Sequence, residues 1–171
     1  LKGMPYLILE YVQGVNLQTL IDPMGLTEAE VIRLGMEVAG ALVEFHDAGL
    51  MHRDIKPSNV MLGKYGETFV VDWGLAKPVD SEEEISFGDK PGLLPSSGSN
   101  VMPTQYGSAV GPPAFMPPEQ ASGELAHVNN HSDVYSLGAT FYYLLTGQPP
   151  TEGRDLVSII ASVIDGNIKP P

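Results

Sequence analysis

The stretch Met51-His52-Arg53-Asp54-Ile55-Lys56-Pro57-Ser58-Asn59-Val60-Met61-Leu62, followed thirteen residues after Asn59 by Asp72-Trp73-Gly74, decides how this chain is read. It sets an Asp, a Lys and an Asn on one tight loop and a second Asp at the end of a short apolar run. Two carboxylates and an amide oxygen close together suit Mg2+, a hard cation that takes oxygen ligands and usually keeps substrate phosphates in its shell. A Lys two residues beyond Asp54 reaches a phosphate oxygen as a point charge. A carboxylate left free of metal can accept a proton from an attacking hydroxyl.

Around this loop the pattern is locally clear. Residues 60–62 and 68–72 are short apolar runs separated by Gly63-Lys64-Tyr65-Gly66-Glu67, which predicts a hairpin with Asp72 emerging from its second strand. Upstream, Thr27 and Glu30 form a capping-box pair, and Val31, Leu34, Val38, Leu42 and Phe45 recur at helical spacing, with Gly49 as the stop. Residues 6–12 read as a buried strand, ended by Gln13-Gly14, and residues 15–21 as a short helix. Helical pattern returns over 132–145 and 154–164. Between Pro78 and Pro118 periodicity is lost: Asp80, Glu82, Glu83, Glu84 and Asp89 carry no basic residue among them, and 91–99 is mostly Pro, Gly and Ser. That composition predicts a long, poorly ordered segment. No internal repeat and no second domain boundary is visible.

Composition excludes several classes of function. Nine Lys+Arg against 21 Asp+Glu give a net charge of −12, the wrong sign for a phosphate-tracking nucleic-acid binder. Zero cysteines exclude a disulfide scaffold, a thiolate zinc site and a cysteine nucleophile, and fit a cytoplasmic chain. No run approaches the ~18 apolar residues of a spanning helix.

The run His-Arg-Asp-x-Lys-x-x-x-Asn followed by Asp-x-Gly resembles the catalytic loop and metal-binding motif of the protein kinase family. Other motifs agree in order. Leu9-Glu10-Tyr11-Val12 resembles the hinge between kinase lobes, and residues 71–77 the start of an activation segment whose end resembles Gly111 to Glu119. Ser132 to Gly138 is similar to the buried central helix of the large lobe. Lys56 and the Pro-Glu-Gln ending resemble serine/threonine kinases, and Trp73 with the Ser-Leu-Gly-Ala-Thr run resembles the eukaryotic-like kinases of bacteria.

The resemblance implies an α+β fold: a mainly helical C-terminal lobe with a small hairpin at the cleft. Residues 1–14 would be the last small-lobe strand and hinge, and 15–171 the large lobe. The activation segment would span 72–119, with an insertion at about 80–108. It implies transfer of the γ-phosphate of ATP to Ser/Thr hydroxyls of a protein substrate, with Mg2+. Asp54 would be the base and Lys56 would offset γ-phosphate charge. Asn59 and Asp72 would hold Mg2+. The main chain of Glu10 and Val12 would bind adenine, with Leu9 at the back pocket and Met61 beneath the ring. Arg53 would link to a phosphate on Ser96, Ser97, Ser99, Thr104 or Ser108. Asp133 and Glu119 would be structural, the first accepting from catalytic-loop amides, the second pairing with an Arg farther along. His46, His127 and His131 lack metal-ligand spacing and read as surface or packing residues.

The family's Gly-rich loop, strand Lys and helix Glu do not occur in these 171 residues. The chain therefore reads as a kinase fragment, expected to transfer phosphate poorly or not at all by itself. Pro112 stands where kinases usually carry a Thr that bonds the catalytic Asp and Lys, and Pro117 replaces a small residue before Pro118-Glu119. Three alternatives stand beside this reading: a pseudokinase scaffold that binds nucleotide or partners, an interaction module built on the acidic, Pro-rich insertion, and a small-molecule phosphotransferase on the same scaffold, against which the protein-directed look of Pro117-Pro118-Glu119 counts.

Overall fold

The computed structural model describes residues 10–24, 26–73, 77–78 and 112–171. Residues 10–13 have no regular structure and lead into strand β1 (Gly14–Asn16), helix α1 (Leu17–Met24) and the long helix α2 (Glu28–Asp47). The expected helix over 15–21 is thus displaced. Val15 and Asn16 are taken by strand pairing, and Asn16 Oδ1 instead accepts the Thr19 N–H at 2.9 Å at the head of α1. Of the strand expected over 6–12, residues 6–9 lie outside the described residues, and residues 10–12 are irregular rather than strand, pairing beginning only at Gly14.

Helix α2 begins as its sequence predicts. Thr27 accepts from Glu30 N at 3.3 Å while Glu30 Oε2 accepts the Thr27 N–H at 2.8 Å, which satisfies two otherwise orphaned helix donors. Its buried residues Val31, Leu34, Val38 and Leu42 keep helical spacing. Ala48 caps the end, and Gly49 follows at φ 72°, a left-handed conformation that glycine reaches without a Cβ clash.

Beyond α2 come β2 (Leu50–Met51), a 3-10 turn (Pro57–Asn59), β3 (Val60–Gly63), β4 (Thr68–Val70) and β5 (Lys77–Pro78). Strand β3 is central in an antiparallel sheet of order β1-β3-β4, with Gly14 opposite Gly63, Asn16 opposite Met61, and Met61 opposite Phe69. The predicted hairpin is therefore present. A Cβ at position 14 would run into the Leu62 carbonyl, so glycine permits the close approach of β1. Strands β2 and β5 pair separately, Met51 opposite Lys77.

The C-terminal part carries a 3-10 turn (Pro112–Phe115), the short helix α3 (Pro118–Ala121), a 3-10 turn (Leu125–His127), α4 (Asn130–Thr146) and α5 (Leu156–Ile164). Helix α4 is buried along Ser132, Asp133, Ser136, Leu137, Ala139, Thr140, Tyr143 and Leu144. Its Leu137 and Leu144 join α2, Leu17, Ile55 and Val60 in one core. A second cluster packs Ala114 and Phe115 on Ala139, Tyr143 and Ile159. The loop after β2 is tied to the first of these cores, to which it contributes Ile55.

Candidate active site

From Met51 the chain turns into the loop 52–56, and two peptide N–H groups of that loop are gripped by one carboxylate. Asp133, in the first turn of α4 and 1% exposed, accepts His52 N–H on Oδ2 at 2.9 Å and Arg53 N–H on Oδ1 at 2.7 Å. A buried carboxylate requires such donors. His46 supplies a third: its Nε2, from the last turn of α2, lies 2.9 Å from Oδ2. The structural role expected of Asp133 is thus met, whereas the part played by His46 escaped the sequence reading.

Arg53 itself has φ 69°, a left-handed conformation that costs a residue with a Cβ about 1–2 kcal/mol. Its N–H is fixed by Asp133, and its carbonyl accepts from Gln120 Nε2 at 3.2 Å.

His52 is fully buried and bonded at both ring nitrogens. Nδ1 accepts the Asp54 N–H at 3.3 Å, so the proton resides on Nε2, which donates to the Val71 carbonyl at 3.2 Å. Burial pushes the imidazole below its ordinary value, opposed chiefly by the Asp133 carboxylate. The ring tilts at 60° against Trp73, with centroids 4.3 Å apart.

Two donors converge on Asp54. Lys56 Nζ reaches Oδ2 at 2.7 Å, and Asn59 Nδ2 reaches the same oxygen and the Asp54 carbonyl, each at 2.9 Å. With Nδ2 so committed, Asn59 Oδ1 faces a Ser58 hydroxyl at 3.4 Å and is a hard oxygen suited to a metal. Asp72 is exposed and also left-handed, φ 67°. It is carried beside the loop by its neighbour, since Val71 N–H donates to Asn59 O at 2.9 Å. Trp73 anchors the far side: its indole stacks on Phe45 at 3.5 Å and 14°, and Nε1 donates to Val70 O at 3.0 Å.

Among the described residues no three His, Cys, Asp or Glu side chains gather as a self-sufficient ion cage. Asn59 Oδ1 and the Asp72 carboxylate are hard oxygens of the kind that could hold Mg2+, an ion that leaves much of its shell to phosphate and water.

Other expected residues are less closely grouped. Met61 lies half-buried on β3, opposite Asn16. Glu10 is exposed and Val12 half-buried, both in irregular chain before β1. Leu9, Gly74, the acidic run Glu82–Glu84 and the acceptor candidates Ser96, Ser97, Ser99, Thr104 and Ser108 lie outside the described residues. The Glu119 carboxylate accepts a hydrogen bond from Ser132 Oγ, and its carbonyl accepts from Ser122 Oγ at 3.1 Å and Glu124 N–H at 2.8 Å.

A family model described as the protein kinase domain matches residues 2–169. Serine/threonine-protein kinases PknB of Mycolicibacterium smegmatis and Mycobacterium tuberculosis are each 33% identical over 169 residues, 98% of this chain and 24% of the relative. A serine/threonine-protein kinase PknD of Protochlamydia amoebophila is 39% identical over 139 residues, 81% of this chain and 14% of the relative. The chain thus spans about a quarter of the length of the PknB relatives it matches.

Proposed function

The chain belongs to the protein kinase family, and from that premise we propose that the whole protein transfers the γ-phosphate of ATP to Ser/Thr hydroxyls of a protein substrate. The observation that carries this reading is the convergence of the Lys56 ammonium and the Asn59 amide on Asp54 Oδ2.

Fixed by those two donors, the Asp54 carboxylate orients the acceptor hydroxyl and takes its proton as the oxygen attacks phosphorus. The Lys56 ammonium, already beside the carboxylate, offsets negative charge on the transferred phosphoryl oxygens. Asn59 Oδ1 and Asp72 would hold Mg2+, whose charge would offset that of the phosphate oxygens. The main chain at Glu10 and Val12 binds the adenine edge and Met61 lies beneath the ring, while Leu9, outside the described residues, keeps its back-pocket role by resemblance alone. Support for that placement comes from the register Asn16–Met61, which sets β3 beside the strand that residues 10–13 lead into.

In this reading residues 1–14 are strand and hinge, 15–171 the large lobe, and 72–119 an activation segment with an insertion at about 80–108. The 171 residues contain no Gly-x-Gly-x-x-Gly to cover the phosphates, and the proposal is that by themselves they transfer phosphate poorly or not at all. No helix among the described residues is long and apolar enough to cross a membrane, and the proposed site of action is the cytoplasm.

The test is phosphate incorporation by the full-length protein beside its Asp54→Asn variant. A loss of ~10²–10⁴ in rate is expected when the base is removed. Equal incorporation would defeat the assignment of Asp54. ATP binding without any transfer by the unsubstituted protein would favour the pseudokinase scaffold, the reading that Pro112 supports by offering no hydroxyl to the loop.

A further inference from the structure

The peptide unit joining Arg53 to Asp54 is held at both ends by side chains. Its oxygen accepts from Gln120 Nε2 at 3.2 Å, and its N–H donates to His52 Nδ1 at 3.3 Å. The preceding peptide is held separately, Arg53 N–H on Asp133 Oδ1. The orientation of the 53–54 plane sets the direction in which the Asp54 side chain leaves the backbone. Arg53, at φ 69°, sits in a conformation that its own sterics disfavour, so this plane keeps its place only while outside bonds over-determine it.

Of those bonds, the one to the carbonyl comes from α3, at the end of the long segment that follows Asp72. Gln120 Oε1 is buried and has no partner among the described residues. Among the described residues, the hydrogen bond that this side chain makes is the one to Arg53 O. We propose that Gln120 is a positioning residue for phosphate transfer, aligning Asp54 by fixing the Arg53–Asp54 peptide plane and so coupling the placement of α3 to that of the base. This rests on the reading of Asp54 as the base.

Two variants of the full-length protein isolate the donor. Gln120→Met preserves length and bulk and cannot donate to Arg53 O; Gln120→Glu preserves length and, ionised, carries acceptor oxygens only. Both are expected to lower kcat ~10-fold, the scale of a small misplacement of a reacting group. KM for ATP should stay within ~2-fold, since Asn59 and Asp72 are untouched. Amide hydrogen exchange, read residue by residue, supplies an arm that needs no activity. In Gln120→Met the Asp54 amide should exchange ~10-fold faster while the Arg53 amide, held by Asp133, is unchanged. Unaltered Asp54 exchange overturns the proposal, as does wild-type kcat in the Met variant. Loosening of the Arg53 and Asp54 amides together, with activity falling only as the folded fraction falls, also overturns it, because Gln120 would then be packing alone. If the unsubstituted protein transfers no phosphate, the kinase reading fails, and the exchange measurement still decides what Gln120 does.

Discussion

Asp133 Oδ1 accepts the backbone N–H of Arg53 at 2.7 Å across 80 positions of sequence, and Oδ2 of the same carboxylate accepts the N–H of His52. A side chain on the central helix thereby fixes the two residues immediately before Asp54. Asp133→Asn puts an amide NH2 where an oxygen met a donor, so a donor faces a donor. The expected loss is about 2–3 kcal/mol in unfolding free energy by urea titration. Asp133→Ala, which removes every acceptor from these N–H groups, should cost about 3–5 kcal/mol. An unchanged urea midpoint in either variant would contradict the clamp.

Trp73 holds the end of the hairpin by a stack and a hydrogen bond. Trp73→Phe keeps an aromatic face for Phe45 and loses the Nε1 bond to Val70 O, a change worth about 1 kcal/mol. Trp73→Leu forfeits the stack as well, about 0.5–1.5 kcal/mol more. Circular dichroism during denaturation should rank the stabilities wild type, Phe, Leu. A Phe variant as stable as wild type would mean that the indole N–H adds nothing at this junction.

The parts of this arrangement that a reader of sequence can see are those whose partners are close in the chain. Thr27 and Glu30 cap α2 across three residues, the Val60–Val70 pairing is set by one hairpin, and Lys56 and Asn59 meet Asp54 within five positions. Strand β1 was not legible, because its partner is β3, nearly fifty residues away, and its own residues Gly14, Val15 and Asn16 are too few to show alternation. The same holds for His46 on Asp133 and Gln120 on Arg53, which join elements 87 and 67 positions apart. His46 left only a faint signal, a polar residue at the end of an apolar helical stripe. The Asp133 role was reachable through family resemblance alone; by composition it is merely an acid in an apolar helix.

Acid should weaken the fold through His52. Unfolded, this imidazole takes up a proton near pH 6.5; buried, it does so only at lower pH. In between, the unfolded chain binds more protons than the native one, so stability falls as pH drops below 6.5. Glu30, Glu37 and Asp155 are depressed by hydrogen bonds from Thr27, Thr68 and Ser158, and what they contribute is kept above their unfolded values of 4.5, 4.5 and 3.8. Urea titrations between pH 7 and 5.5 therefore read the histidine and spare those carboxylates. His52→Phe should show a flatter dependence over this window than wild type; parallel curves would place the titrating group elsewhere.

Asp72 combines a left-handed backbone with the proposed metal-binding role, and the two can be separated. Asn tolerates the left-handed region through local hydrogen bonding, so Asp72→Asn should keep φ near 67° at little cost while removing the charge. Asp72→Ala also removes the carboxylate and adds about 1 kcal/mol of backbone strain. The Asn variant should therefore unfold at the wild-type urea concentration, yet lose phosphate transfer by ~10²-fold or more in the full-length protein. Its half-maximal Mg2+ concentration should also rise, because one of two protein oxygens on the ion has lost its charge. The Ala variant should match it in activity and fall below it in stability. Asp72→Asn with wild-type turnover and Mg2+ dependence would reduce this residue to a turn former and leave Asn59 without its partner at the metal.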